Sequence, residues 1–172
     1  MIVVVMGVAG SGKTTIGKML ADAIPCAFLE GDSLHARASV EKMSRGIALT
    51  DADRAPWLAA IHAHMADVYT RGGSVVVGCS ALKQSYRAIL ADGLPVTWVY
   101  LKGDPDLIQS RMLGRAGHFM KANMLASQFE ALEEPSDALI VDVSQPPEKI
   151  VERILSTLRE GVDARDAKPL ES

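Results

Sequence analysis

Near the start of the chain, Gly7-Val8-Ala9-Gly10-Ser11-Gly12-Lys13-Thr14 combines glycines, a lysine and a hydroxyl at the spacing G-x-x-x-x-G-K-[ST]. Glycines at 7, 10 and 12 permit backbone conformations that turn successive N–H groups inward, making an anion nest at a helix N-terminus. Lys13 adds a point charge for the β- and γ-phosphates of a nucleotide. Thr14 offers a hydroxyl to Mg2+, which takes hard oxygen ligands. The expected nucleotide contacts are therefore Gly7 to Thr14 together with Thr15. A plain Gly/Ser turn between strand and helix needs no Lys-Thr pair at this position.

A second group is acidic. Glu30 and Asp32 lie two residues apart after the apolar stretch Cys26-Ala27-Phe28-Leu29, so the strand period of two points both carboxylates the same way. One could hold Mg2+ through water while the other orients or deprotonates a hydroxyl acceptor. The alternative is a pair of solvated loop acids, one of them capping the helix that follows.

The basic residues fall into three groups: Arg54; Lys83 with Arg87; and Arg111 with Arg115, whose i, i+4 spacing lets both reach one polyanion. Any of these can equally be a solvated helix face. After Arg115 comes a Gly/His/Lys-rich segment with Gly114 and Gly117 as hinges, the composition of a lid over residues 114–123. His35 and His118 lie beside the expected site and could hydrogen-bond a polyol, whereas His62 and His64 are expected to be structural or surface groups. Cys79 reads as a core thiol, with no basic partner fixed beside it. Asp142, at the end of Leu139-Ile140-Val141, mimics the metal-binding acid of other nucleotide enzymes but is disfavoured beside Glu30-Gly31-Asp32, which follows the loop's own helix.

These groups need elements to hold them. Met1 to Met6 is an apolar run that enters the glycine loop directly, which suits a core strand. A helix over 15–24 ends at Pro25, and strand, helix, strand makes a βαβ unit with a right-handed crossover. A polar helix is expected over 34–44, and a longer one from Thr50-Asp51-Ala52-Asp53 to Arg71-Gly72-Gly73. The run 74–79 is the third strand, and Ser80 is expected to cap a helix through Leu90. A fourth strand covers 96–101, with helices after Asp104-Pro105 and around 124–132. A fifth strand covers 138–141, and a last helix opens at Pro146-Pro147 and stops at Gly161. The result is an α/β fold, a three-layer α/β/α sandwich on a five-stranded parallel sheet, with ligands at the carboxyl ends of the strands. Residues 1–161 are expected to form one domain and 162–172 a flexible tail.

Composition sets limits. The 172 residues are 48% hydrophobic and 23% charged, ordinary for a globular domain, and the net charge of −3 invites neither nucleic acid nor an anionic membrane. No stretch reaches the roughly 18 apolar residues of a membrane span, and the six-residue N-terminal run lacks the basic flank of a signal peptide. Cys26 and Cys79 have no metal spacing, so reduced thiols and a cytoplasmic protein are expected.

Beyond the loop, the chain is similar to the gluconokinases, relatives of shikimate and nucleoside monophosphate kinases among P-loop kinases. The likeness runs through Phe28-Leu29-Glu30-Gly31-Asp32, Leu34-His35, Glu41-Lys42-Met43, Leu49-Thr50-Asp51-Ala52-Asp53-Arg54 and Pro56-Trp57-Leu58. It continues through Cys79-Ser80-Ala81-Leu82-Lys83, Tyr86-Arg87, Gly117-His118-Phe119, Met124-Leu125 and Ser127 to Glu133.

The resemblance implies a P-loop kinase with a lid. It would transfer the γ-phosphoryl group of ATP in line to the 6-hydroxyl of D-gluconate, giving 6-phospho-D-gluconate and ADP. By the same likeness Asp32 would be the acceptor-side base, Arg54 a ligand of the sugar acid, Arg115 a lid arginine and Arg111 a neighbour of the adenine. Lys13 would be catalytic, Thr14 and Glu30 would hold Mg2+, and His35, Lys83, Arg87 and His118 would line the acceptor site. A homodimer is compatible with the sequence, which does not by itself set the assembly. Two departures stand out: Glu30 where the family has Asp, and Ala36-Arg37-Ala38-Ser39 in place of a Pro-rich stretch ending in Asn. A GTPase-type switch would require D-x-x-G and N-K-x-D, and the chain contains neither.

Overall fold

The apolar run at the start of the chain becomes the central strand of the sheet. Strand β1 (Ile2–Met6) is buried along its whole length, which requires cover on both faces. The computed structural model describes residues 1–113 and 122–166, and the side chains of all of these except 122, 123 and 161–166. Parallel to β1 lie β3 (Val75–Gly78) on one side and β4 (Val96–Lys102) on the other. The edges are β2 (Ala27–Glu30) beside β3 and β5 (Leu139–Asp142) beside β4, giving the order β2-β3-β1-β4-β5. The five-stranded parallel α/β fold is as expected from the alternating apolar runs.

Helices cover both faces because alternate strand residues point to opposite sides. Val3, Val5, Val76, Val99, Leu101 and Val141 pack with residues of α1 (Lys13–Ala23), α5 (Pro105–Leu113), α6 (Ala122–Ala131) and α7 (Pro147–Asp166). Ile2, Val4, Met6, Val75, Val77 and Trp98 pack with α3 (Asp51–Thr70) and α4 (Gln84–Ala91). Each fully buried aliphatic side chain contributes about 1.5–3 kcal/mol.

Several expectations need correction. The apolar run Cys26-Ala27-Phe28-Leu29 predicts a short buried strand, but this second strand is a sheet edge, with Ala27 exposed and Phe28, Leu29 and Glu30 only partly covered. The helix expected over 34–44 begins only at Arg37, as α2 (Arg37–Ser44): Leu34 closes a 3-10 turn, Gly31–Leu34, and His35 and Ala36 are extended. Ser80 caps no helix: α4 begins only at Gln84, and Ala81 takes a left-handed backbone, φ 43°, in the connection. Gly161 does not stop α7, which runs on to Asp166.

The start of α3 follows its sequence closely. The Thr50 hydroxyl accepts the Asp53 N–H at 3.2 Å, and the Asp53 carboxylate accepts the Thr50 N–H at 2.9 Å, a reciprocal cap. Because β1, β2 and β3 run parallel, the residues that leave them, Gly7, Gly31 and Cys79, emerge at one end of the sheet.

Candidate active site

At that end the glycine loop, the β2 terminus and the start of α3 enclose a cleft of about 260 Å3. Gly10, Gly12, Lys13, Thr14 and Thr15 form its loop side, while Asp32, His35 and Arg54 face them from the other wall. The loop is tightly set. Gly7 has φ 144°, and a Cβ there would stand 2.9 Å from both the Leu101 carbonyl and the Ser11 Oγ.

Lys13 is buried, and its ammonium donates to the Val8 carbonyl at 3.0 Å. Burial pushes its pKa down, opposed by the carboxylates of Asp32 and Glu30. The lysine is thus held inside the loop with two acids close enough to favour its charge. The Thr14 hydroxyl donates to Glu30 Oε2 at 2.5 Å, so the last residue of β2 and the first turn of α1 bring two hard oxygens together.

Gly31 explains how the acids are separated. A Cβ at this position would meet the Gly78 carbonyl at 2.5 Å and Ile61 Cδ1 at 3.2 Å, so the chain passes against β3 and α3 with no room for a side chain. Its carbonyl accepts the Trp57 indole N–H at 2.7 Å. Trp57 in turn stacks on His35, with ring centroids 4.3 Å apart and planes 13° from parallel. Burial pushes the His35 pKa down against the pull of Asp32, and its buried Nδ1 has no hydrogen-bond partner among the described residues.

Arg54 is set by the first turn of α3. Its guanidinium donates to the Leu49 carbonyl and lies over the Tyr86 ring, 5.8 Å from the centroid. Beside it, Asp51 accepts from the Lys83 ammonium at 2.8 Å and from the Tyr86 hydroxyl. These bonds hold the Asp51 carboxyl below its ordinary value and the Lys83 ammonium above its own.

The structure therefore separates the residues that the sequence had grouped. Lys83 is engaged with Asp51 at the outer side of Tyr86 and is not among the cleft's lining. Arg87 lies elsewhere. It is buried, donates to the carbonyls of Ala81 and Leu82 at 3.0 and 3.2 Å, and lines a different cavity with Trp98 and Glu134. Arg87, expected in the acceptor site, is thus not among the residues lining the cleft: the left-handed turn at Ala81 leaves carbonyls that need a donor, and Arg87 supplies it. Arg111 donates to the Val143 carbonyl at 2.7 Å and lines a cavity of about 230 Å3 behind the loop with Gly10, Gly12 and Thr15. Arg115, His118 and the expected lid up to residue 121 lie outside the described residues.

A profile described as an AAA domain matches residues 2–139. The thermoresistant gluconokinase of Escherichia coli is 46% identical over 166 residues, covering 93% of this chain and 94% of that protein. The chain belongs to the gluconokinase family. The gluconokinase of Gluconobacter oxydans is 44% identical over 156 residues, covering 88% of each chain. The crystal structure of a gluconokinase from Sinorhizobium meliloti superposes with a TM-score of 0.85 at 43% identity, covering 95% of each chain.

Within this gluconokinase fold, the cleft also contains residues to which no site role was assigned from sequence: Met43, Leu49, Trp57, Ser80 and Gln128. Trp57 and Leu49 are apolar and buried, and their place at the cleft shows only in three dimensions. Gln128 carried a signal. It interrupts the apolar stripe Met124, Leu125, Phe129 of α6, and a polar side chain on such a stripe needs a partner. Cys79 is a buried thiol pushed up to about 12 by burial, which excludes it as a nucleophile near neutral pH. The Asp142 carboxylate accepts the Ser144 N–H at 2.8 Å on the far edge strand.

Proposed function

We propose that this gluconokinase transfers the γ-phosphoryl group of ATP to the 6-hydroxyl of D-gluconate. One observation carries the reading: Asp32, His35 and Arg54 line the same cleft as Lys13, Thr14 and the glycine loop. Donor and acceptor groups share a single space, as in-line transfer requires.

In this reading the loop N–H groups and Lys13 bind the β- and γ-phosphates. Asp32 orients the acceptor hydroxyl and takes its proton. Arg54, held by the Leu49 carbonyl and the Tyr86 ring, receives the substrate carboxylate. His35, held by its stack on Trp57, lines the acceptor side of the cleft beside Asp32. Thr14 and Glu30 would hold Mg2+: their oxygens meet at 2.5 Å, and an ion that keeps most of its waters needs only one or two protein ligands. When bound, that ion neutralises charge on the phosphate oxygens. The glutamate in place of the family's aspartate fits this role, since its longer side chain reaches Thr14 from the end of β2.

The adenine is assigned to the cavity behind the loop, with Arg111 on its wall. Arg115 and His118 are proposed from sequence alone as the lid arginine and an acceptor contact. The reading also includes a cytoplasmic location, a homodimer, and no nucleic-acid or membrane partner.

The test is a coupled assay of ADP release with purified protein, ATP and Mg2+ against gluconate, other sugar acids, shikimate and nucleoside monophosphates. Gluconate is expected to give a kcat/KM at least about 100-fold above every other acceptor, because an unmatched carboxylate or hydroxyl leaves buried polar groups unpaired. Release with shikimate or a nucleotide but not with gluconate would overturn the reading.

A further inference from the structure

We propose that Gln128 is a positioning residue that reports whether a γ-phosphoryl group is present and helps to place it for transfer. The inference rests on the reading of the cleft as the place of transfer.

Gln128 comes from α6, far from the loop in sequence, yet its side-chain Oε1 accepts the Ala9 N–H at 2.7 Å. A phosphate loop binds anions through its inward N–H groups, so a carbonyl oxygen on one of them stands where a phosphate oxygen would bind. The position along the triphosphate can be read from the two cavities on either side of the loop. Ala9 and Gln128 line the one shared with Asp32, His35 and Arg54, and neither lines the one shared with Arg111. The Ala9 N–H is therefore on the acceptor face of the loop, where the terminal phosphoryl group faces the acceptor.

A γ-phosphoryl oxygen is a stronger acceptor than an amide oxygen and displaces it from Ala9. ADP, one phosphoryl group shorter, leaves the Ala9–Gln128 bond in place. A carboxamide carries both an acceptor and two N–H donors, and its terminal torsion is soft. After displacement the same side chain can present its NH2 group to the phosphoryl oxygens. Glutamine suits both states. A glutamate would hold Ala9 more strongly and repel the incoming charge.

The test uses Gln128→Glu and Gln128→Ala in the full chain, both helix-compatible at a partly buried position. Binding of a non-hydrolysable ATP analogue and of ADP is measured by calorimetry without acceptor, and turnover is measured separately with gluconate. In Gln128→Glu the affinity for the analogue is expected to fall about tenfold or more while that for ADP holds within about twofold, the size of one charge-assisted bond. In Gln128→Ala, kcat is expected to fall about tenfold with little change in the KM for gluconate or in ADP affinity. Analogue and ADP affinities that move together, or an unchanged ratio in Gln128→Glu, would overturn the proposal, as would a wild-type kcat in Gln128→Ala. The nucleotide measurements involve no acceptor, so they stand or fall apart from the assignment of gluconate as substrate.

Discussion

Asp32, the proposed base, is held at the cleft by what lies on either side of it: Gly31 pressed against β3, and the 3-10 turn that carries the chain towards His35. Asp32→Asn keeps this geometry and removes the base. Its kcat is expected to fall about 100-fold or more with ATP affinity held within about threefold, the contribution of a general base acting only on the acceptor. Steady-state kinetics with equilibrium nucleotide binding decide it, and equal losses in both would assign Asp32 to the metal or to the fold. That Lys13, Thr14, Glu30 and Asp32 share one cleft was legible in the sequence, because local spacing after β1 and β2 places them. The surroundings of Arg87 and Gln128 were not legible, for the opposite reason. Arg87 is claimed by carbonyls that only the left-handed turn at Ala81 exposes, and Gln128 by an amide at the other end of the chain.

At the scale of elements, the acceptor wall depends on two joints. The first is Gly31, where β2 passes into the 3-10 turn with no space for a Cβ. Gly31→Ala forces β3 or the turn to shift, an overpacking that costs about 1–3 kcal/mol. At about 2–4 °C per kcal/mol for a chain of this size, Tm is expected to drop by about 2–12 °C. A wild-type melting curve would contradict the close packing. The second joint ties α2 to α3, where the Lys42 ammonium donates to Asp53 at 2.7 Å. With the Thr50 N–H and hydroxyl, it holds the Asp53 carboxyl down to about 2, against an ordinary 3.8. A carboxyl depressed in the folded chain adds stability above pH 3.8, and that contribution is lost as pH falls through about 2. The stability gap between wild type and Asp53→Asn, from urea titrations, is therefore expected to narrow across that window. A constant gap would show that the Lys42–Asp53 contact contributes nothing. Helix and strand types were readable from apolar periodicity, whereas the ends at Ser80 and Gly161 were not, because neighbouring structure decided whether a cap or a glycine was used.

For the whole molecule, the parallel order β2-β3-β1-β4-β5 is what makes one site from distant segments. It brings the phosphate loop after β1, the acids after β2 and Ser80 after β3 to one end of the sheet, with α3 supplying Arg54 across the gap. The alternation of apolar runs and helices made the architecture readable in the sequence, but strand order is a tertiary fact and decides which loops meet. The central claim is that the cleft joins a nucleotide's terminal phosphoryl group to a sugar-acid hydroxyl. Phosphorus NMR of the protein with ATP, Mg2+ and gluconate tests it most directly. The account predicts one new phosphomonoester signal, coupled to the two protons on carbon 6 of gluconate, growing in step with ADP. Inorganic phosphate as the only product, or a phosphoester on another carbon, would contradict it.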